Sequence, residues 1–240
     1  MANVTIETLL YAGIGGIVPT FFWLWFWLKK ESDGDAQTGL IWMSYIGGIL
    51  GVLLLLPLKP LVEILTLPPD QIVILYAFLE EFIKFTIIAL IAFGHSSIND
   101  GSDYTIYLVT GALGFSACEN TLYLINPITQ SLDIQSIIAM GNLRFFGATV
   151  LHVICVALVG VILGLAYSGG KFLKLIHIIV GIGLATGLHT IFNYFIMKDT
   201  RQNTIIAIAG IWFVAVIVIL LFDRLKTLQE NIIHQQNNQS

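Results

Sequence analysis

An all-α, polytopic membrane bundle of about seven transmembrane helices is the fold this sequence predicts, and three observations carry it. Only 26 of the 240 residues are formally charged, 11 Lys or Arg and 15 Asp or Glu, a share of 11% where a soluble domain has roughly a quarter. Hydrophobic residues make up 57% of the chain. Seven apolar stretches, each long enough to cross about 30 Å of hydrocarbon, alternate with short polar connections. A soluble enzyme and a disordered chain are thereby excluded, and 11 basic residues with a net charge of −4 argue against a nucleic-acid partner. The lipid bilayer is the first partner.

The stretches fall at 8–28, 39–57, 71–94, 104–125, 146–168, 175–197 and 203–222. Lys29 and Lys30 open the polar run KKESDGDAQT that closes the first, and KPLVEILTLPPD separates the second from the third. GHSSINDGSD ends the third, NPITQSLDIQ the fourth, SGGK the fifth and KDTRQN the sixth, each rich in turn formers or charge. The segment 134–148 reads either as a short interfacial helix or as the start of a long fifth span, with Arg144 near the water boundary in both cases. No internal repeat or linker divides the chain. Residues 1–225 are expected to form one integral-membrane domain and 226–240 a polar cytoplasmic tail. With the first Lys at position 29, no basic leader of a cleavable signal peptide is expected. Cys118 and Cys155 lie in apolar runs and read as small core residues.

Orientation follows from the positive-inside rule. An outside N-terminus puts Lys29, Lys30, Lys171, Lys174, Arg224 and Lys226 in the cytoplasm and leaves Lys59, Arg144, Lys198 and Arg201 outside. The expectation is therefore N-out, C-in.

Four charges break the pattern: Glu80, Glu81, Lys84 and Glu119 lie inside spans. An ionised group in hydrocarbon costs several kcal/mol unless it is paired, so such residues mark function more often than packing. Lys84 is four residues from Glu80 and three from Glu81, within reach of either along one helix face. A single ion pair that pins helix packing needs one carboxylate, and this segment supplies two. Asn120 follows Glu119, His152 lies in ATVLHVICV, and His189 lies in ATGLHTIFNYF with Asn193 one turn on. His177 near a span end reads as a packing residue, and His95 and His234 as loop and tail.

Depth turns these residues into a group. At about 1.5 Å per residue, Glu80 and Glu81 lie about 14 Å below the outer face, His189 about 12 Å, Glu119 and His152 about 9 Å, and Asn193 about 6 Å. Four helices of alternating direction thus bring their polar residues to one slab. Two carboxylates, two imidazoles, an amide and a Lys suit activation of a water by Glu80 or Glu81, with His152, His189 and Asn193 binding or polarising a carbonyl. Lys84, Glu119 and Asn120 would orient them. No HExxH, serine-nucleophile motif or pair of intramembrane aspartates occurs, and the last span has no Lys. The rival from another class is a proton-coupled transporter or a non-catalytic scaffold using the same buried groups. Transporters tend to show repeats, and this chain shows none.

EEFIK at 80–84, FSACEN at 115–120 and the later His152 and His189, on successive spans, resemble the PrsW family of intramembrane proteases. The resemblance covers about residues 70–197. It extends more distantly to the CAAX prenyl endopeptidase and bacteriocin-processing group, which shares the double Glu and a His followed four residues later by Asn, here His189 and Asn193. The chain departs from that group at Lys84, where an Arg one residue later is usual, and at Glu119, where a His is usual, so a prenylated substrate is not expected. The PrsW resemblance implies site-1 cleavage of a single-pass membrane protein, typically an anti-sigma factor, near its extracytoplasmic side. No cofactor is required by the glutamate reading. In a metal-dependent version, Glu119, His152 and His189 would hold a divalent ion such as zinc.

Overall fold

The computed structural model describes residues 4–30, 36–94, 98–130 and 133–237, with side chains as far as position 229. The described residues form helices joined by short turns, and no strand occurs among them. The helices are α1 (Ile6–Lys30), α2 (Thr38–Leu55), α3 (Leu58–Ile64), α4 (Pro69–Ala92), α5 (Asp103–Thr129), α6 (Ile134–Leu143), α7 (Thr149–Leu165), α8 (Lys171–Met197) and α9 (Arg201–Asn237). A single π-helical turn, Arg144–Ala148, joins α6 to α7. The seven expected spans are α1, α2, α4, α5, α7, α8 and α9. Their outward side chains, among them Leu10, Ile14, Leu90, Ile179, Phe213 and Leu220, are exposed and apolar, as a lipid-facing surface requires.

Three segments add detail to the hydropathy reading. The connection after the second span contains α3, which follows Pro57, buries Val62 and stops where Thr66 turns left-handed at φ 47°. Residues 134–148 are the start of the fifth span rather than a separate interfacial helix, because helical backbone runs unbroken from Ile134 to Leu165. Asp133 caps that run, its carboxylate accepting from Ser136 N at 3.0 Å and Ser136 Oγ at 2.7 Å. These bonds hold the exposed Asp133 carboxyl below its usual range. Finally, α9 continues to Asn237, through most of the segment expected as a tail, and Lys226 Nζ on it donates to the Lys30 carbonyl at 3.3 Å.

Five stretches are long and apolar enough to cross a membrane: α1, α2 with α3, α6 through α7, α8, and α9 as far as Gln229. The two remaining long helices are those that carry the buried charges. Helix α4 holds Glu80, Glu81 and Lys84. Helix α5 is buried at every residue from Asp103 to Ala117, so neighbouring helices rather than lipid cover it, and it tolerates Gly, Thr and Ser.

Close approach depends on small residues. Helix α5 packs against α1, α2 and α7. A Cβ on Gly48 would collide with the Gly111 carbonyl oxygen, one on Gly114 with that of Tyr45, and one on Gly160 would lie 2.5 Å from Thr105 Cα. Backbone cannot yield as a side chain can. Gly114→Val is therefore expected to destabilise the protein by at least the 1–3 kcal/mol or so typical of overpacking. Gly13→Ala, with nothing within 4 Å of the new methyl, is expected to be neutral. Thermal unfolding of the two variants in detergent checks this; equal midpoints would mean that α2 and α5 are not in backbone contact.

Two hydrogen-bonded links bring four segments to one end of the bundle. Lys30 pairs with Asp223 at 2.8 Å, and Tyr167 Oη donates to the Asn99 carbonyl at 2.8 Å.

Candidate active site

The buried polar residues of α4, α5, α7 and α8 converge. Glu81, Lys84, His152 and His189 are each 2% exposed or less, and Glu80 is 7% exposed. The EExxK spacing resolves into one choice: Lys84 Nζ donates to Glu81 Oε1 at 2.7 Å, not to Glu80. The same ammonium contacts His152 Nδ1 at 2.9 Å. The FxxxE spacing has an equally local cause. Phe115 and Glu119, four residues apart on one face of α5, both meet His152: the Phe115 ring centroid is 5.3 Å from the imidazole, and Glu119 Oε2 is 2.9 Å from Nε2. Lys84 Nζ also lies 5.1 Å over the Phe115 ring.

Donor and acceptor roles fix the tautomers. An ammonium only donates, so His152 Nδ1 accepts from Lys84 and its Nε2–H donates to Glu119. Glu81 Oε1, already accepting from Lys84, accepts also from His189 Nδ1–H at 2.6 Å. That leaves His189 Nε2 with a bare lone pair, 3.6 Å from Glu80 Oε2. Glu80 Oε2 and Glu81 Oε2 are buried with no hydrogen-bond partner among the described residues. Two facing lone pairs in a dry site need a proton or a cation between them. With neutral histidines, the three carboxylates outnumber Lys84 and Arg144 by one charge.

Sequence reasoning missed Arg144 as a site residue. Its side chain reaches across to α5, donating through Nη2 to Glu119 Oε2 and through Nε to Asn120 Oδ1, both at 2.6 Å. Asn120 Nδ2 in turn donates to Thr149 Oγ1 at 2.9 Å. A basic residue eight positions before an intramembrane His is the available signal, and it becomes readable only once the π-turn is known. Asn193 is not brought into the network: it is half-buried one turn beyond His189, and its side chain makes no hydrogen bond among the described residues. His177 donates Nδ1–H to the Leu173 carbonyl of its own helix at 2.8 Å. His95 and the side chain of His234 lie outside the described residues. Cys118 and Cys155 are free thiols.

The residues fit a divalent metal through a different carboxylate from the one expected. Glu80, His152 and His189 each offer one ligand atom, all within 4.8 Å of one another; Glu80 Oε2 and His189 Nε2 have free lone pairs, whereas His152 can join them only by releasing Lys84 from Nδ1 or by giving up its Nε2 proton. Glu119, expected in that role, is in neither converging group found among the described residues, because Arg144 and His152 hold it. Two imidazoles and a carboxylate are a common zinc donor set, and the Glu81–His189 pair supplies the carboxylate that orients a ligating imidazole. The second group, Glu81, Cys155 and His189, uses a carboxylate already bound to Lys84 and a thiol turned to the Ala185 carbonyl at 3.5 Å. On the other side of the π-turn, Phe145, Phe146, Trp23, Trp212 and Ile138 line an apolar cleft of about 1110 Å³.

Helices of membrane-spanning length packed around a buried carboxylate–imidazole cluster define a multi-pass membrane protein with an intramembrane polar site. The chain belongs to the PrsW family of intramembrane metalloproteases, which it matches over residues 37–222. It is 26% identical to Protease PrsW of Halalkalibacterium halodurans over 222 residues, 87% of this chain and 95% of that one. It is 28% identical to Protease PrsW of Oceanobacillus iheyensis over 205 residues, 83% and 89% of the two chains. Protease PrsW of Bacillus subtilis is 26% identical over 161 residues, 65% of this chain and 67% of its own. No solved structure matches the chain. The protein is thus an intramembrane peptidase, a multi-pass integral membrane protein, and the choice between hydrolase and transporter falls to the hydrolase.

Proposed function

We propose that the Glu80–Glu81–Lys84–Glu119–His152–His189 cluster hydrolyses a peptide bond of a single-pass membrane protein near its extracytoplasmic side. The observation that supports this best is the pair Glu80 Oε2 and His189 Nε2, 3.6 Å apart and left without a hydrogen bond among the described residues. Glu80 directs the water and receives its proton; Glu81 holds His189 in the tautomer that keeps Nε2 unprotonated. Lys84 holds Glu81 and His152, and Glu119 holds His152 from its other nitrogen. Asn193 lies one turn from His189 on the same helix and serves substrate carbonyl binding; Asn120 braces Arg144. An anti-sigma factor is the substrate that the family resemblance implies.

The orientation rests on charge. Lys29, Lys30, Lys171, Lys174, Arg224 and Lys226 gather at one end, while Arg144 turns into the site and leaves Lys59, Lys198 and Arg201 at the other. That contrast supports N-out, C-in more strongly than the sequence count did.

Glu80, His152 and His189 are the residues that would hold a divalent ion such as zinc. When bound, such an ion supplies Lewis acidity to a water and a carbonyl. Zinc is expected to co-purify with the protein at about one per chain and to fall to about a tenth of that in His189→Ala, measured by elemental analysis. Full-rate cleavage by exhaustively chelated protein would contradict the metal assignment and leave Glu80 acting as a base on water alone.

A further inference from the structure

Arg144 and His152 come from one continuous helical run yet meet the same atom, Glu119 Oε2, at 2.6 and 2.9 Å. We infer that Arg144 is a positioning residue for peptide hydrolysis, fixing His152 through Glu119, and that the π-helical turn Arg144–Ala148 is what puts it there. The inference rests on the site proposed above, in which His152 takes part in the reaction.

The helical geometry explains the turn. Eight residues separate Arg144 from His152. At about 100° per residue, an unbroken α-helix would place them about 80° apart around the axis. A π-turn has about 4.4 residues per turn, or about 82° per residue, and five such steps reduce the separation to about 10°. The two side chains then share a face and reach across to α5 together. Without the π-turn, Arg144 would sit about 80° around the axis from His152, off the face that meets α5.

The contacts of Arg144 suit a clamp. Its planar fork engages Glu119 and Asn120, adjacent on α5, and its guanidinium carbon lies 4.8 Å over the Tyr123 ring one turn further on. Asn120 returns a bond to Thr149, the first residue of α7, so the turn is tied to α5 on both sides. Glu119 is the least enclosed carboxylate of the cluster, its side chain 26% exposed against 1% for Glu81. Deprived of Arg144, it would keep only His152 as a partner and would be free to turn toward the opening. The His152 ring would then be held at Nδ1 alone.

Cleavage of a fluorescent single-pass substrate in proteoliposomes tests this. Arg144→Gln is expected to lower kcat by about 30-fold, in the range of losses for residues that orient a ligand or base, with KM changed less than about threefold. Arg144→Lys, a single-point donor, is expected to recover only part of the loss. The double variant Arg144→Gln/Glu119→Gln is expected to match Glu119→Gln within about twofold, because both act on one contact. Unchanged kcat in Arg144→Gln, or losses that multiply in the double variant, would overturn the inference. Should Arg144→Gln not yield monodisperse protein, Arg144→Lys is judged on the same kcat criterion. His152→Ala separates the two levels: if it retains full activity, the site reading itself fails. If it is inactive while Arg144→Gln is normal, only the role of Arg144 fails.

Discussion

Lys84→Met is expected to destabilise the protein by about 3–5 kcal/mol, the cost of removing one partner from a buried ion pair. Lys84 and Glu81 are each 1% exposed, and no other ammonium or guanidinium pairs with Glu81 among the described residues. Methionine fills a similar volume, so lost packing contributes little, and what remains is a carboxylate in a dry bundle with His189 as its single partner. His152 Nδ1 loses its donor in the same step. For a chain of this size the thermal midpoint should fall by about 10 °C, read by unfolding in detergent. A shift below about 2 °C would mean that Lys84 and Glu81 are not a charged pair in the folded protein.

The buried cluster was legible because hydrocarbon makes charge conspicuous. Glu80, Glu81, Lys84 and Glu119 stood out against spans with no other charge, and helical rise alone brought His152 and His189 to their depth. The partner choice within EExxK was not legible, since Lys84 can reach either carboxylate along its own helix. It was decided by α8, which presents His189 to Glu81 and draws both donors to one oxygen. The metal group shows the same limit: ligand chemistry suggested Glu119 with the two histidines, whereas Arg144 occupies Glu119 and leaves Glu80 to converge with them.

Arg144 was hidden for a different reason. Reading 134–148 at a uniform 3.6 residues per turn puts it on the wrong face, and nothing in RFFGA announces a π-turn. The seven apolar stretches coincide closely with α1, α2, α4, α5, α7, α8 and α9. Even there, α4 and α5 passed as ordinary spans, although one carries the charged core and the other is enclosed by protein along most of its length. Asn193 was singled out by its spacing from His189, and the folded chain leaves its side chain without a hydrogen bond among the described residues.

Glu80 carries the central claim, because its Oε2 lies 3.6 Å from His189 Nε2 with no hydrogen-bond partner among the described residues. Glu80→Gln preserves size and shape while replacing a charged oxygen lone pair with an amide. It cannot take a proton from water, and it is a poor ligand for a divalent cation, so the loss is expected whether or not an ion is bound. It also relieves the one excess negative charge of the cluster, so the fold should hold or gain stability. The deciding measurement is cleavage of a single-pass substrate by wild type and Glu80→Gln in matched proteoliposomes. The account predicts a fall of about 10³-fold or more with an undiminished thermal midpoint. Cleavage by Glu80→Gln within a few-fold of wild type would contradict it.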